Sequence, residues 1–320
     1  MMTLPPGVEA APLDLALDAG QAAGGQAFFT RARDGLRLRI GLWSPPGARG
    51  TVLLFPGRTE YIEKYSPFAT DLAARDYAVA VIDWRGQGLS DRLLDRPTPG
   101  HIERFGDYQT DVAALVDFAR ASGLPKPWFL LAHSMGGTIG LRALLDGLPV
   151  QAAAFSAPMW GIELGAIPHW AARAVSATAR ALGMGGWVEP GSVRQTLPLT
   201  SDHPHNLLTS DLEQFTRLCR HAADRPDLIL GGPTFSWVGE ALAECRALAA
   251  LPSPTVPALA ALGGDEAMVD PAPIRARMAA WPGGKLVDFP GARHEVMMEA
   301  PTTRARFLNA IDDLFHKARA

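Results

Sequence analysis

Ser134 is the residue in this chain with the clearest chemical context. It sits in the run Trp128-Phe-Leu-Leu-Ala-His-Ser-Met-Gly-Gly-Thr138. An apolar stretch of strand character ends at Ala132 and His133, and two glycines then open a segment of buried-helix character. Strand, sharp turn and helix, with serine at the apex, form a nucleophile elbow, which lifts the hydroxyl off the sheet. Residues two before and two after such a serine must be small, and here they are Ala132 and Gly136. A serine hydroxyl is a weak nucleophile at neutral pH. It needs a base within hydrogen-bond reach, and the base needs an orienting carboxylate. After an elbow of this kind the order along the chain is Ser, acid, His. Asp265 follows one predicted strand and His294 follows the next, so the expected triad is Ser134, Asp265 and His294.

The rivals fit less well. Asp270 lies five residues past Asp265 and is the second choice of acid. Asp288 falls inside a strand, and Glu295 adjoins His294, where neighbouring side chains rarely face each other. His133 adjoins the serine and is expected to pack beneath it. His203 and His205 read as solvent-exposed loop, and His101, His169, His221 and His316 lack a matching context. Acyl chemistry also needs two donors aimed at the developing oxyanion. The backbone N–H of Met135 is one. The loop Pro56-Gly-Arg-Thr-Glu60 supplies the other, with Gly57 making the turn and Arg58 donating its amide.

These residues need a frame to hold them. Phe28–Arg33 and Leu36–Trp43 read as a hairpin about Asp34-Gly35. Thr51–Phe55, Tyr77–Ile82, Trp128–His133, Val150–Phe155, Thr255–Leu262 and Lys285–Phe289 are short apolar runs, as expected of strands buried on both faces. Between them, 67–75, 107–120 and 302–317 carry helical periodicity. That alternation predicts an α/β fold with a mostly parallel, doubly wound sheet. Its site lies at the carboxyl ends of the strands. From 158 to 250 the rhythm stops, and helices are expected over 163–182, 211–223 and 236–250. This reads as a helical lid inserted into a core made of 26–157 and 251–320, with 1–25 as a mobile tail. Four of the eight tryptophans and Met159 fall in the lid. Met159 and Trp160 are candidates, with Gly57, for binding an apolar substrate, against the plainer reading of lid packing.

Composition narrows the classes. Thirty Lys and Arg against 33 Asp and Glu give a net charge of −3, which offers no basic field for nucleic acid. Cys219 and Cys245 make neither a ligand cluster nor a disulfide framework. The chain opens without a positive n-region and apolar core, and lacks an apolar run of the roughly eighteen residues that a spanning helix needs. A cytoplasmic protein is expected, free to visit the inner face of a membrane.

The stretches PGRTEYIEKY (56–65), DWRGQGLSDR (83–92), AHSMGG (132–137), SAPMWGI (156–162), GGPTFSW (231–237) and GARHEVMMEAP (291–301) resemble the monoglyceride lipase and bacterial lysophospholipase branch of the α/β-hydrolase superfamily. They are collinear and span almost all of the chain after its first residues. The resemblance implies the α/β-hydrolase fold, a triad of Ser134, Asp265 and His294, oxyanion amides at Arg58 and Met135, and no metal or organic cofactor. Asp83 and Arg85 match a turn of that family and are expected to be structural. Two residues depart from its pattern: Pro56 stands where a His is usual, and Ala132 where a Gly is usual. The expected activity is hydrolysis of lipid carboxylic esters, lysophospholipids or monoacylglycerols. An aminopeptidase on the same scaffold is the alternative, and would need a lid carboxylate such as Glu163, Glu189 or Glu240. A non-catalytic binding protein is a further alternative, against which the complete triad argues.

Overall fold

A computed structural model describes residues 5–18, 23–189 and 197–319. Nine strands form one sheet: β1 (Glu9–Ala11), β2 (Gly25–Arg31), β3 (Arg37–Trp43), β4 (Thr51–Phe55), β5 (Ala78–Asp83), β6 (Trp128–His133), β7 (Ala153–Ser156), β8 (Ala258–Gly263) and β9 (Gly284–Phe289). Their spatial order is 1-2-3-5-4-6-7-8-9. The first three strands run antiparallel to their neighbours, and every pair from β5 to β9 is parallel. The helices are α1 (Ile62–Ala73), α2 (Tyr108–Ala121), α3 (Met135–Leu145), α4 (His169–Ala181), α5 (Leu197–Thr200), α6 (Leu212–Asp224), α7 (Phe235–Ala249), α8 (Pro271–Ala279) and α9 (Pro301–Lys317).

The sheet is apolar on both faces because helices cover both. Alternate residues of β4 serve opposite layers. Leu53 and Phe55 join α2, α3, α7 and α8 through Leu115, Ile139, Leu242 and Ile274. Val52 and Leu54 join α1 and α9 through Phe68, Phe307 and Ile311. This two-sided burial is why the central strands read as unbroken apolar runs. The register sets the carboxyl ends of the parallel strands side by side: Phe55 opposite Ala132, His133 opposite Ser156, and Gly263 opposite Phe289. Helices α4 to α7 all lie between β7 and β8 in sequence. Both cysteines are free thiols.

Three expectations need correction. Residues 1–25 are not simply a mobile tail. Glu9–Ala11 pairs with β2 as an edge strand, and a single 3₁₀ turn follows at Leu15–Asp18. Asp18 is buried and its Oδ1 accepts from Arg217 Nη1 of α6 at 2.7 Å, while Pro12 O accepts from Arg39 Nη1 at 3.0 Å. The segment is held by backbone pairing, by charge and by packing of Leu13, Leu15 and Leu17, a run too short to stand out as an element. Helix α1 begins at Ile62 rather than at Pro67, which lies inside it. Its first turn buries ion pairs beside the apolar Ile62 and Tyr65: Glu63 with Arg39 at 2.7 Å and Lys64 with Glu295 at 2.6 Å. The lid helix expected from 163 starts at His169, because Pro168 supplies its N-terminal boundary. Helix α8 was not expected from periodicity, and few of its residues are buried.

Candidate active site

Ser134 caps α3 with φ 50° and ψ −120°, a conformation rare for a residue with a side chain. From Trp128 to Leu141 it is the one residue that is not buried. The strain is held from both sides. Ser134 N donates to Ser156 O at 3.1 Å, and Ser134 O accepts from Gly137 N and Met159 N at 2.8 Å each. A Cβ at position 136 would run into the carbonyl oxygens of Phe55 and Pro56, so close backbone approach demands glycine there. His133 packs under the turn as expected: it is 2 % exposed and its Nδ1–H donates to Ser156 O at 3.0 Å. Burial pushes its pKa down to about 4, which keeps the ring neutral.

His294 lies on the turn after β9, and its ring centroid is 4.7 Å from that of His133. The two elements that carry Ser134 and His294 therefore meet at the same edge of the sheet. The carboxylate on His294 is Glu266, not the expected Asp265. His294 Nδ1 and Glu266 Oε2 are 2.8 Å apart, with both side chains buried. Asp265 is exposed, and among the described residues only its backbone N–H is engaged, with Ala292 O at 2.9 Å. The reason is local. β8 ends at Gly263, and the chain turns so that position 265 faces outward and position 266 inward. Glu266 Oε1 then accepts the amides of Met268 at 2.7 Å and Val269 at 3.1 Å, which fixes the carboxyl group. Sequence reasoning missed this residue. Its only visible signal was a second carboxylate beside Asp265. The other acid candidates are occupied elsewhere: Asp270 caps α8 through Ala272 N, Asp288 pairs with Arg275 at 2.6 Å, and Glu295 is held by Lys64.

Burial pulls the His294 pKa down, but the charge and hydrogen bond of Glu266, with Glu295 and Glu60 beyond, outweigh it and raise it. Burial likewise raises Glu266, and His294 with the two amides brings it below the ordinary carboxylate value. The pair is thus built to hold a protonated imidazole beside an ionised carboxylate, the state a general base reaches after taking a proton.

The loop after β4 lies against the serine: a Cβ on Gly57 would be 3.1 Å from Ser134 Cβ. Gly57 N donates to Glu60 Oε2, and Thr59 N donates to Gln87 Oε1 at 2.7 Å. Among the described residues Arg58 N, between them, donates to none. Met135 N is the first amide of α3, one of those a helix leaves without an internal partner. Pro56, at the position where His is usual in the resembling family, is buried, and its carbonyl accepts from Trp84 Nε1 at 2.9 Å. Trp160 and Met159 belong to core packing. Trp160 stacks with Trp281 at 6.1 Å and donates from Nε1 to Gly137 O at 3.1 Å, and Met159 O accepts from Thr138 Oγ1. Both side chains are buried, and their hydrogen bonds support the elbow. Asp83 and Arg85 are structural: Asp83 accepts from Arg39 Nε at 2.7 Å and Ile62 N at 2.9 Å, and Arg85 pairs with Asp111 at 2.7 Å.

Glu60, His133 and Glu295 stand close enough to share a cation. The cation there is Lys64, whose Nζ donates to Glu60 Oε1 at 2.7 Å and to Glu295 Oε1 at 2.6 Å. Lys64 thus lies between the two carboxylates of the cluster.

Residues 46–301 match the family model described as serine aminopeptidase, S33. The chain is 36 % identical over 287 residues to lysophospholipase L2 of Escherichia coli K12, covering 83 % of this chain and 80 % of that protein. It is 30 % identical over 268 residues to the probable lysophospholipase L2 of Haemophilus influenzae, covering 82 % and 83 %. Among solved structures, a soluble variant of monoglyceride lipase from Saccharomyces cerevisiae superposes with a TM-score of 0.69 at 18 % identity, covering 99 % of this chain and 96 % of that one. That likeness shows the α/β-hydrolase fold. The chain belongs to the serine aminopeptidase S33 family of α/β hydrolases, with the lysophospholipase L2 proteins among its relatives.

Proposed function

We propose that this protein is a serine hydrolase of lipid carboxylic esters, with lysophospholipids as its first substrates. One observation carries the reading: a strained Ser134 at the strand–helix apex, on the edge where His294 is held by the buried Glu266. His294 Nε2 takes the Ser134 proton as Oγ attacks the acyl carbonyl, while Nδ1–H stays on Glu266. The amides of Arg58 and Met135 receive the oxyanion. His294 then gives its proton to the departing glycerol-side oxygen. Water, deprotonated by the same ring, releases the fatty acid and restores Ser134. The choice of lysophospholipid rests on the names of the two bacterial relatives.

The aminopeptidase reading has less support. Glu240 is occupied by Arg180 and by Phe105 N at 3.0 Å, and Glu163 accepts from Gly165 N within its own turn at 2.8 Å. A lipid surface is the partner we assign to the lid. Helix α4 turns Trp170 and Val175 to solvent, 73 % and 55 % exposed, and Leu182 at its C-terminal end is 69 % exposed, with Ile167 and Trp187 farther out on either side. No helix among the described residues is long and apolar enough to cross a membrane.

The test is fatty acid release from lysophosphatidylethanolamine, lysophosphatidylcholine and monoacylglycerol, with an aminoacyl amide beside them. Serine-dependent release, fastest on a lysophospholipid, is expected, and Ser134→Ala should lower it by about 10³-fold or more. Cleavage of the amide alone, or Ser134→Ala activity within tenfold of wild type, overturns the reading.

A further inference from the structure

Two buried side chains hold both ends of the peptide that carries the Arg58 amide. Gln87 is 3 % exposed and Glu60 is 4 % exposed. Gln87 Nε2 donates to Gly57 O at 3.2 Å. In a trans peptide the N–H points away from the C=O. Fixing the Gly57 carbonyl on Gln87 therefore aims the Arg58 N–H the opposite way. Glu60 Oε2 fixes the preceding amide, Gly57 N, and also accepts from the Tyr65 hydroxyl. Gln87 Oε1 fixes the following one, Thr59 N, and Thr59 itself holds φ 65°. A β-branched residue in the left-handed region is strained and stays there only if its surroundings impose it. The bonds from Glu60 and Gln87 are that imposition.

The same carboxylate reaches the other two reacting segments. Glu60 Oε1 lies 3.6 Å from Nε2 of His133, the residue before the serine. Through Lys64 it is joined to Glu295, the residue after His294. Burial would raise the Glu60 carboxyl, but Lys64, His133 and the bond from Tyr65 bring it down to about 2, so it is ionised.

We infer that Glu60 and Gln87 are positioning residues that set the Arg58 amide for the oxyanion, and that Glu60 keeps the oxyanion loop, the serine turn and the histidine turn in one register. The inference rests on the ester-hydrolase reading above. Neither residue touches the reacting atoms. Their effect falls on the transition state, in which the oxyanion forms, rather than on substrate binding.

Glu60→Ala and Gln87→Met test it on the full chain. Active sites are counted with a fluorophosphonate, so that kcat is expressed per labelled serine. For each variant we expect kcat per site to fall about 10²-fold, with KM within about threefold of wild type, since losing one oxyanion donor typically costs 10²–10³. Affinity for a trifluoromethyl ketone, which forms a tetrahedral adduct, should fall in parallel. Gln87→Met keeps every ion pair of the Glu60 cluster, so it answers the question if Glu60→Ala folds poorly. A merely structural role would lower the labelled fraction and leave kcat per site and ketone affinity unchanged, and that result overturns the inference. A wild-type protein without serine-dependent ester hydrolysis would overturn the functional reading and this inference with it.

Discussion

Asp265 and Glu266 are neighbours in sequence, yet only Glu266 reaches His294. Glu266→Gln should cost roughly 10³–10⁴-fold in kcat, the scale seen when a triad carboxylate becomes an amide. Asp265→Asn should stay within about threefold of wild type, because its side chain is exposed. Steady-state rates for the two variants decide between the neighbours. The same contact sets a pH dependence. The base must be neutral to act, and Glu266, with Glu295 and Glu60, raises the His294 pKa against the lowering effect of burial. The acid limb of kcat/KM should therefore lie above the ordinary imidazole value of about 6.5. Losing the carboxylate charge removes the largest of the raising contributions, so Glu266→Gln should move that limb to lower pH. A limb that stays in place would show that the Glu266 charge does not act on His294. The placement of Ser134 and His294 at one sheet edge was legible because chain order and strand ends specify it. The carboxylate beside His294 was misplaced by one position because a turn geometry and the amides of Met268 and Val269 choose it, and neither leaves a mark in residue spacing.

At the level of elements, legibility followed chemistry. The central strands show as apolar runs because both of their faces are covered. The first turn of α1 and the segment before β2 were hidden because charge helps to bury them: Glu63 and Asp18 are within 1 % of full burial. The histidine turn depends on another such polar contact, with the lid segment 203–210. Arg293 Nη1 donates to the carbonyls of Asn206 at 2.7 Å, His203 at 3.1 Å and Thr209 at 3.1 Å, and Nη2 donates to Pro204 O at 3.1 Å. Glu295 N donates to Leu208 O at 2.8 Å, and Glu299 accepts from Arg293 N at 2.8 Å and Ser210 N at 3.0 Å. The lid and the histidine turn are thus laced together on both sides of His294. Arg293→Met leaves four carbonyls without their charged donor and should cost about 2 kcal/mol, discounted for partial exposure. Calorimetry should show a lower Tm, and limited proteolysis should open first within 203–210. An unchanged Tm would mean that water replaces the guanidinium at no cost and that the lacing is carried by backbone alone.

Across the whole molecule, α4 is inverted relative to an ordinary surface helix. Its inner face is made of small residues, with Ser176 against Gly239 of α7, and its large apolar side chains face water. Exposed apolar surface of this extent marks a contact site. With a net charge of −3 the chain has little long-range attraction to an anionic bilayer, so binding should rest on apolar burial. Each of the five exposed side chains from Ile167 to Trp187 would contribute about 1–2 kcal/mol if buried in the acyl boundary. Binding should then occur on zwitterionic phosphatidylcholine vesicles and persist at high salt, where an electrostatic contact would fade. Trp170→Glu with Leu182→Glu should weaken vesicle binding at least tenfold, read by co-sedimentation. It should slow hydrolysis of a vesicle-borne lysophospholipid while leaving a water-soluble short-chain ester untouched, because neither residue is among those assigned to the reaction. Equal losses on both substrates would mean that α4 shapes the site rather than docks it. Unchanged co-sedimentation would remove the lipid surface as its partner.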